Sequence, residues 1–240
     1  MTTGTRQRFQ FVDMMRGLAV ALMVVYHFSY DLSYFGLASF DFYEDRFWLN
    51  ARTFILSLFL LLVGVSLVLA TRDGINRHAY GRRLLVLVIC AALISVATYY
   101  MFAERMIFFG VLHFIVVASV LGLLFIRFYW LNAVLGMTIV MLGAFYSHAY
   151  FDRPMLQWIG LMTYKPPTED YVPLLPWFGV VLFGLFLGRM SFASQTLSSM
   201  LSRQGRNPLI RLLALSGRHS LLIYMAHQPL LVGLLWLVTR

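Results

Sequence analysis

The sequence predicts an all-α, polytopic membrane helix bundle of about seven transmembrane helices, with the N-terminus inside and the C-terminus outside. Three observations lead there. Hydrophobic residues make up 60% of the 240 and charged residues only 12%, a balance far from that of soluble domains. The apolar residues gather in runs long enough to cross a hydrocarbon core of roughly 30 Å at about 1.5 Å per residue. The basic residues fall between the runs and favour alternate connections, as the positive-inside rule requires. The whole of residues 1–240 reads as one integral-membrane domain, with the lipid bilayer as its surroundings. The net charge of +9 forms no continuous basic face, so nucleic acid is excluded as a partner. A single cysteine, Cys90 in an apolar run, excludes an intrachain disulfide and a thiolate metal site.

The first run, Phe11 to Phe35, is too long and too charged for a signal peptide and lacks a small-residue cleavage site, so it reads as a retained span. It carries Asp13, Arg16, His27 and Asp31. At about 100° per residue these fall at roughly 0°, 300°, 320° and 0°, one stripe with Val20 and Val24 between them. Ionisable groups within a span are costly and face a bundle interior, which makes the stripe a functional-site candidate. The second run is Phe47 to Ala70 and the third Leu84 to Phe102, separated by a basic stretch with Arg72, Arg77, Arg82 and Arg83. The fourth is Met106 to Ile126 and the fifth Leu131 to Tyr150. An irregular segment, Phe151 to Pro173, leads to the sixth, Leu174 to Met190, where Gly184 and Gly188 permit close helix contact. The connection from Ser191 to Arg211 precedes the seventh, Leu212 to Val238, whose first residues, Leu212 to Ser216, can form a separate surface turn.

With the N-terminus inside, the inner segments hold Arg6, Arg8, Arg72, Arg77, Arg82, Arg83, Arg127, Arg189, Arg203, Arg206 and Arg211. The outer ones hold only Arg46, Arg52, Arg105, Arg153, Lys165 and Arg240, together with most of the acidic residues. In this orientation His27 lies about 16 Å outward of Arg16, and His113, on the fourth run, reaches a similar depth, so the two histidines can face each other. Asp31 stands at i+4 from His27, where a carboxylate can accept a hydrogen bond from the imidazole and set its tautomer. The pair resembles the base and orienter of a catalytic triad. Interhelical hydrogen bonding is the competing reading, above all for His113. On the seventh run Ser220, Tyr224 and His227 share a face, and Pro229 removes a helical N–H beside them. A zinc site from His27, His113 and Asp31 lacks any tight ligand spacing, so no metal is expected.

Five blocks of this chain resemble one known family. They are D-x-x-R-G-L-A-V-A-L-M-V at Asp13 to Val24, F-x-x-x-x-G-x-S at Phe59 to Ser66 and I-F-F-G-V-L-H at Ile107 to His113. The other two are E-D-Y-V-P-L-L-P-W at Glu169 to Trp177 and G-R-H-S-L-L-I-Y-M-A-H-Q-P at Gly217 to Pro229. In this order they are similar to the bacterial relatives of the heparan-alpha-glucosaminide N-acetyltransferase catalytic domain. In the lysosomal branch an asparagine stands at the place of His27, whereas the related acyltransferase-three proteins have a histidine at this distance after the arginine, as here.

The resemblance implies a membrane-bound acetyltransferase of the bacterial cytoplasmic (inner) membrane. It would move an acyl group, expected to be acetyl, from cytoplasmic acyl-CoA to a hydroxyl or amine of a saccharide or other envelope molecule outside. In that reading His27 is the general base, Asp31 its orienter, and His113 positions the thioester carbonyl or the acceptor. Asp13 holds Arg16, and Arg16 with Arg82 and Arg83 holds the CoA phosphates. Ser220, Tyr224 and His227 count with them as donor-binding residues. Asp170 and Trp177 line the acceptor entrance. The rival reading is a proton-coupled carrier using the same polar stripe. The sequence leaves the oligomeric state open.

Overall fold

A computed structural model describes residues 9–193, 205 and 207–239. Arg6, Arg8, Arg203, Arg206, Arg240 and the connection from Ser198 to Gln204, all used to orient the chain, lie outside the described residues. Among the described residues there are eight α-helices and no strand: α1 (Gln10–Tyr34), α2 (Arg46–Thr71), α3 (Arg77–Phe102), α4 (Val111–Phe125), α5 (Trp130–Phe145), α6 (Leu174–Ala193), α7 (Pro208–Arg218) and α8 (Ser220–Val238). Five of them, α1, α2, α3, α6 and α8, are long and apolar enough to cross a membrane, and α4 and α5 are apolar but only 15 and 16 residues long. The chain is thus an all-helical membrane protein, as its composition predicts.

The fifth helix stops at Phe145 rather than Tyr150, where Tyr146 turns to extended backbone, and the sixth runs on to Ala193; three further boundaries differ from the sequence reading for a local reason. α3 begins at Arg77 rather than Leu84, because the Asn76 side chain accepts the Ala79 N–H at 3.0 Å and caps it there. Arg82 and Arg83 therefore stand, exposed, in the second turn of a helix and not in a connection. α4 begins at Val111 rather than Met106, because α3 takes the intervening backbone: the Ser95 hydroxyl donates to the Ile107 carbonyl at 2.6 Å and the Ile107 N–H donates to Thr98 Oγ1 at 3.1 Å. The seventh run is split. Asn207 caps α7 by accepting from the Leu209 N–H at 2.8 Å, with Pro208 in the first turn, where its missing N–H costs nothing. The helix ends at Arg218, the His219 N–H closes it on the Leu215 and Ser216 carbonyls, and α8 starts at Ser220. The surface turn expected at Leu212 to Ser216 is the middle of α7.

The chain divides into two compact units, one formed by Met1–Leu62 and Ser191–Arg240, the other by Val63–Met190. In the first unit α1 packs on α7 and α8. The stripe side of α1 is inside, with Val12, Asp13, Gly17, Val20 and Asp31 buried, while Phe11, Val25 and Phe28 are exposed and apolar. Two glycines set the spacing: a Cβ on Gly17 would lie 1.8 Å from the Leu213 carbonyl oxygen, and one on Gly217 would lie 1.8 Å from that of Asp13. In the second unit Phe114, Ile115 and Ala118 of α4 and Val181, Leu182 and Leu185 of α6 are buried.

Candidate active site

The first unit gathers two polar clusters along α1. Near the start of the helix, Asp13 Oδ1 lies 3.2 Å from Arg16 Nη1, and Asp13 Oδ2 lies 3.3 Å from Arg218 Nε at the end of α7. One nearly buried carboxylate thus faces two guanidinium groups. Arg218 reaches Asp13 because the Gly17 and Gly217 backbones touch: one glycine follows Arg16 and the other precedes Arg218.

Three turns further along lies the second cluster. His27 Nδ1 is 3.1 Å from Gln228 Nε2 of α8, and the Gln228 side chain also hydrogen-bonds Asp31. The carboxylate expected to orient His27 therefore reaches it through an amide. The His27 and His227 rings meet edge to face at 5.0 Å between centroids. His227 Nδ1 is 2.6 Å from the Tyr224 carbonyl oxygen one turn earlier, and the Tyr224 and His227 rings lie 5.7 Å apart. Ser220 opens α8 and is half-buried. The helix continues through Pro229. Among the described residues, three buried polar atoms here have no hydrogen-bond partner: Asp31 Oδ2, His227 Nε2 and Gln228 Oε1. Unpaired buried polar atoms are costly, and their gathering at one place marks a site. An aromatic group adjoins it, since the Tyr26 ring contacts His27 at 5.9 Å, Phe42 at 5.3 Å and Trp48 at 5.8 Å.

The other candidates fall in the second unit. His113, expected opposite His27, is engaged at both ring nitrogens: the Gly110 N–H donates to Nδ1 at 3.3 Å and Ser95 Oγ lies 3.1 Å from Nε2. Because the Ser95 hydroxyl donates to Ile107, His113 Nε2 must be the donor to Ser95. Asp170 Oδ2 accepts the Val111 N–H at 2.8 Å and so caps the start of α4. Gly110 makes room for it: a Cβ there would fall 2.3 Å from Asp170 Oδ2. Trp177 is half-buried in the first turn of α6. Beside these, Tyr171 donates its hydroxyl to the Gln157 carbonyl at 2.5 Å, and burial pushes its pKa up to about 12. Among the described residues no group of three or more His, Cys, Asp or Glu side chains could hold a metal ion.

Two residues of the clusters escaped the sequence reading. Gln228 sits one position beyond His227, about 100° off the Ser220, Tyr224 and His227 face. Arg218 was legible only as part of the Gly217 to Pro229 block, since nothing local ties it to Asp13. No curated protein and no solved structure matches the chain. A family model described as "Heparan-alpha-glucosaminide N-acetyltransferase, catalytic" matches residues 8–229, nearly the full length and both clusters. The chain belongs to the heparan-alpha-glucosaminide N-acetyltransferase catalytic-domain family.

Proposed function

We propose that this protein transfers an acetyl group from acetyl-CoA, taken from the cytoplasmic side, to a hydroxyl or amine of a saccharide or other envelope molecule on the far side. The observation that carries this reading is the pair of clusters on one helix. Arg16 with Arg218 supplies the positive charge that CoA phosphates need, and the histidine cluster supplies groups for proton transfer. Arg16 and His27 are eleven residues apart, about 16 Å along the helix, comparable to the reach of a pantetheine arm. The unpaired atoms on Asp31, His227 and Gln228 support a polar substrate group at the second cluster, because an apolar group there would leave them unsatisfied.

In this assignment Arg16 and Arg218 bind the donor and Asp13 fixes both guanidinium groups, while Arg82 and Arg83 belong to the other unit and are kept as separate donor-binding candidates. Asp31 and Gln228 orient His27. In the second unit His113 and Asp170 hold the start of α4, and Asp170 and Trp177 are kept as acceptor-binding candidates. The test is thiol release by the purified protein given acetyl-CoA with glucosamine or glucose. Sugar-dependent release of CoA is the expected result. Sugar flux across proteoliposomes with the thioester intact would replace the enzyme by a carrier.

A further inference from the structure

We infer that the two histidines of the second cluster differ in tautomer, so that His227 is the base and His27 the hydrogen-bond donor of the transfer, with Gln228 setting the difference. The inference rests on the acetyl-transfer reading above for its chemistry, but not for the tautomers.

Hydrogen-bond logic gives each tautomer. A carbonyl only accepts, so the 2.6 Å contact between His227 Nδ1 and the Tyr224 oxygen requires the proton on Nδ1. A neutral imidazole has one N–H, which leaves a lone pair on His227 Nε2, the buried atom with no partner. For His27 the deciding group is the Gln228 amide. An amide nitrogen only donates, so the 3.1 Å contact to Nδ1 puts the lone pair there and the proton on Nε2. Amide orientation follows from the surrounding network, and here Asp31 fixes it. A carboxylate accepts only from the amide nitrogen, so the hydrogen bond of the Gln228 side chain to Asp31 calls for Nε2 on that side, and Oε1 is the atom left without a partner among the described residues. Reversing the amide would press Oε1 against the carboxylate. His113 offers no such freedom, since both its ring nitrogens are bonded within its own unit.

The pair therefore presents one donor and one acceptor with rings 5.0 Å apart. His27 Nε2–H can polarise the thioester carbonyl. His227 Nε2 takes the proton of the acceptor O–H or N–H as the acceptor lone pair forms its bond to the acyl carbon. The carbon–sulfur bond then breaks, and the leaving thiolate takes the proton from the His227 imidazolium, which returns to neutral.

The experiment uses the full chain in nanodiscs with ¹⁵N-labelled histidine, the signals of His27 and His227 being assigned by loss in His27→Gln and His227→Gln. The expected spectrum shows a lone-pair-type Nδ1 for His27 and a lone-pair-type Nε2 for His227. Gln228→Leu should redistribute the His27 tautomers and leave His227 unmoved. The same tautomer in both rings, or a His27 signal indifferent to Gln228→Leu, overturns the inference. Thiol release from acetyl-CoA with glucosamine or glucose then tests the roles. Glutamine can donate but cannot act as a base, so His227→Gln should slow transfer by about 10² or more and His27→Gln by less. The reverse order overturns the division of roles. If the unsubstituted protein cleaves no thioester, the functional reading and the roles fall together, while the spectrum still decides the tautomers.

Discussion

At the scale of single residues, two glycines, Gly17 and Gly217, let the α1 and α7 backbones touch. A methyl group on Gly217 would sit 1.8 Å from the Asp13 carbonyl oxygen, with no flexible side-chain end to give way. Gly217→Ala should therefore cost at least the upper part of the ~1–3 kcal/mol overpacking range, lowering Tm by about 2–4 °C per kcal/mol. Gly233→Ala, on α8 with nothing within 4 Å of the added Cβ, is the control and should be neutral or stabilising, as alanine is the better helix former. Thermal unfolding in one detergent checks both, and equal Tm values would mean that α1 and α7 are not in backbone contact. The sequence makes the members of the site unequally visible. Asp13, Arg16, His27 and Asp31 stand out because ionisable groups in an apolar run share a helical face. Arg218 and Gln228 do not, because each acquires its meaning from a partner some 200 positions away in the chain.

At the scale of elements, the first turn of α4 is held by Asp170 on its Val111 N–H and by His113 on its Gly110 N–H. The sequence placed Asp170 at the acceptor entrance, and the capping contact gives it a structural task as well. Asp170→Ala should lose about 1 kcal/mol, the usual worth of an N-terminal cap, whereas Asp170→Asn keeps an oxygen for Val111 and should lose less. If the residue also meets the acceptor, Asp170→Asn raises the acceptor KM at unchanged Tm. A rise in KM that appears only together with a loss of stability would return Asp170 to capping alone. Runs of apolar residues located every long helix, but their ends were decided by side-chain contacts that hydropathy does not register. Asn76 drew α3 back over Arg77, Ser95 and Thr98 of α3 held the segment before α4 out of helical form, and Asn207 with Pro208 made a separate helix of what read as the start of a span.

At the scale of the whole molecule, a 60% hydrophobic composition gathered in continuous apolar runs of span length sufficed for an all-helical membrane chain, because lipid admits only helices and closed barrels and barrel strands alternate apolar with polar residues. Motifs carried the family, and neither could carry the acceptor, because the polar groups proposed to bind it come together only from distant segments. The central claim is transfer across the bilayer, from a donor at the Arg16 and Arg218 end of α1 to an acceptor at the histidine end. The direct measurement uses membrane vesicles with the cytoplasmic face outward, loaded with glucosamine or glucose and given acetyl-CoA outside. The account predicts acetylated sugar in the lumen and free CoA outside, in equal amounts, with both lost in His27→Gln, His227→Gln double-substituted protein. Acetylated sugar formed only outside, or thioester consumption that the double substitution leaves unchanged, would contradict it.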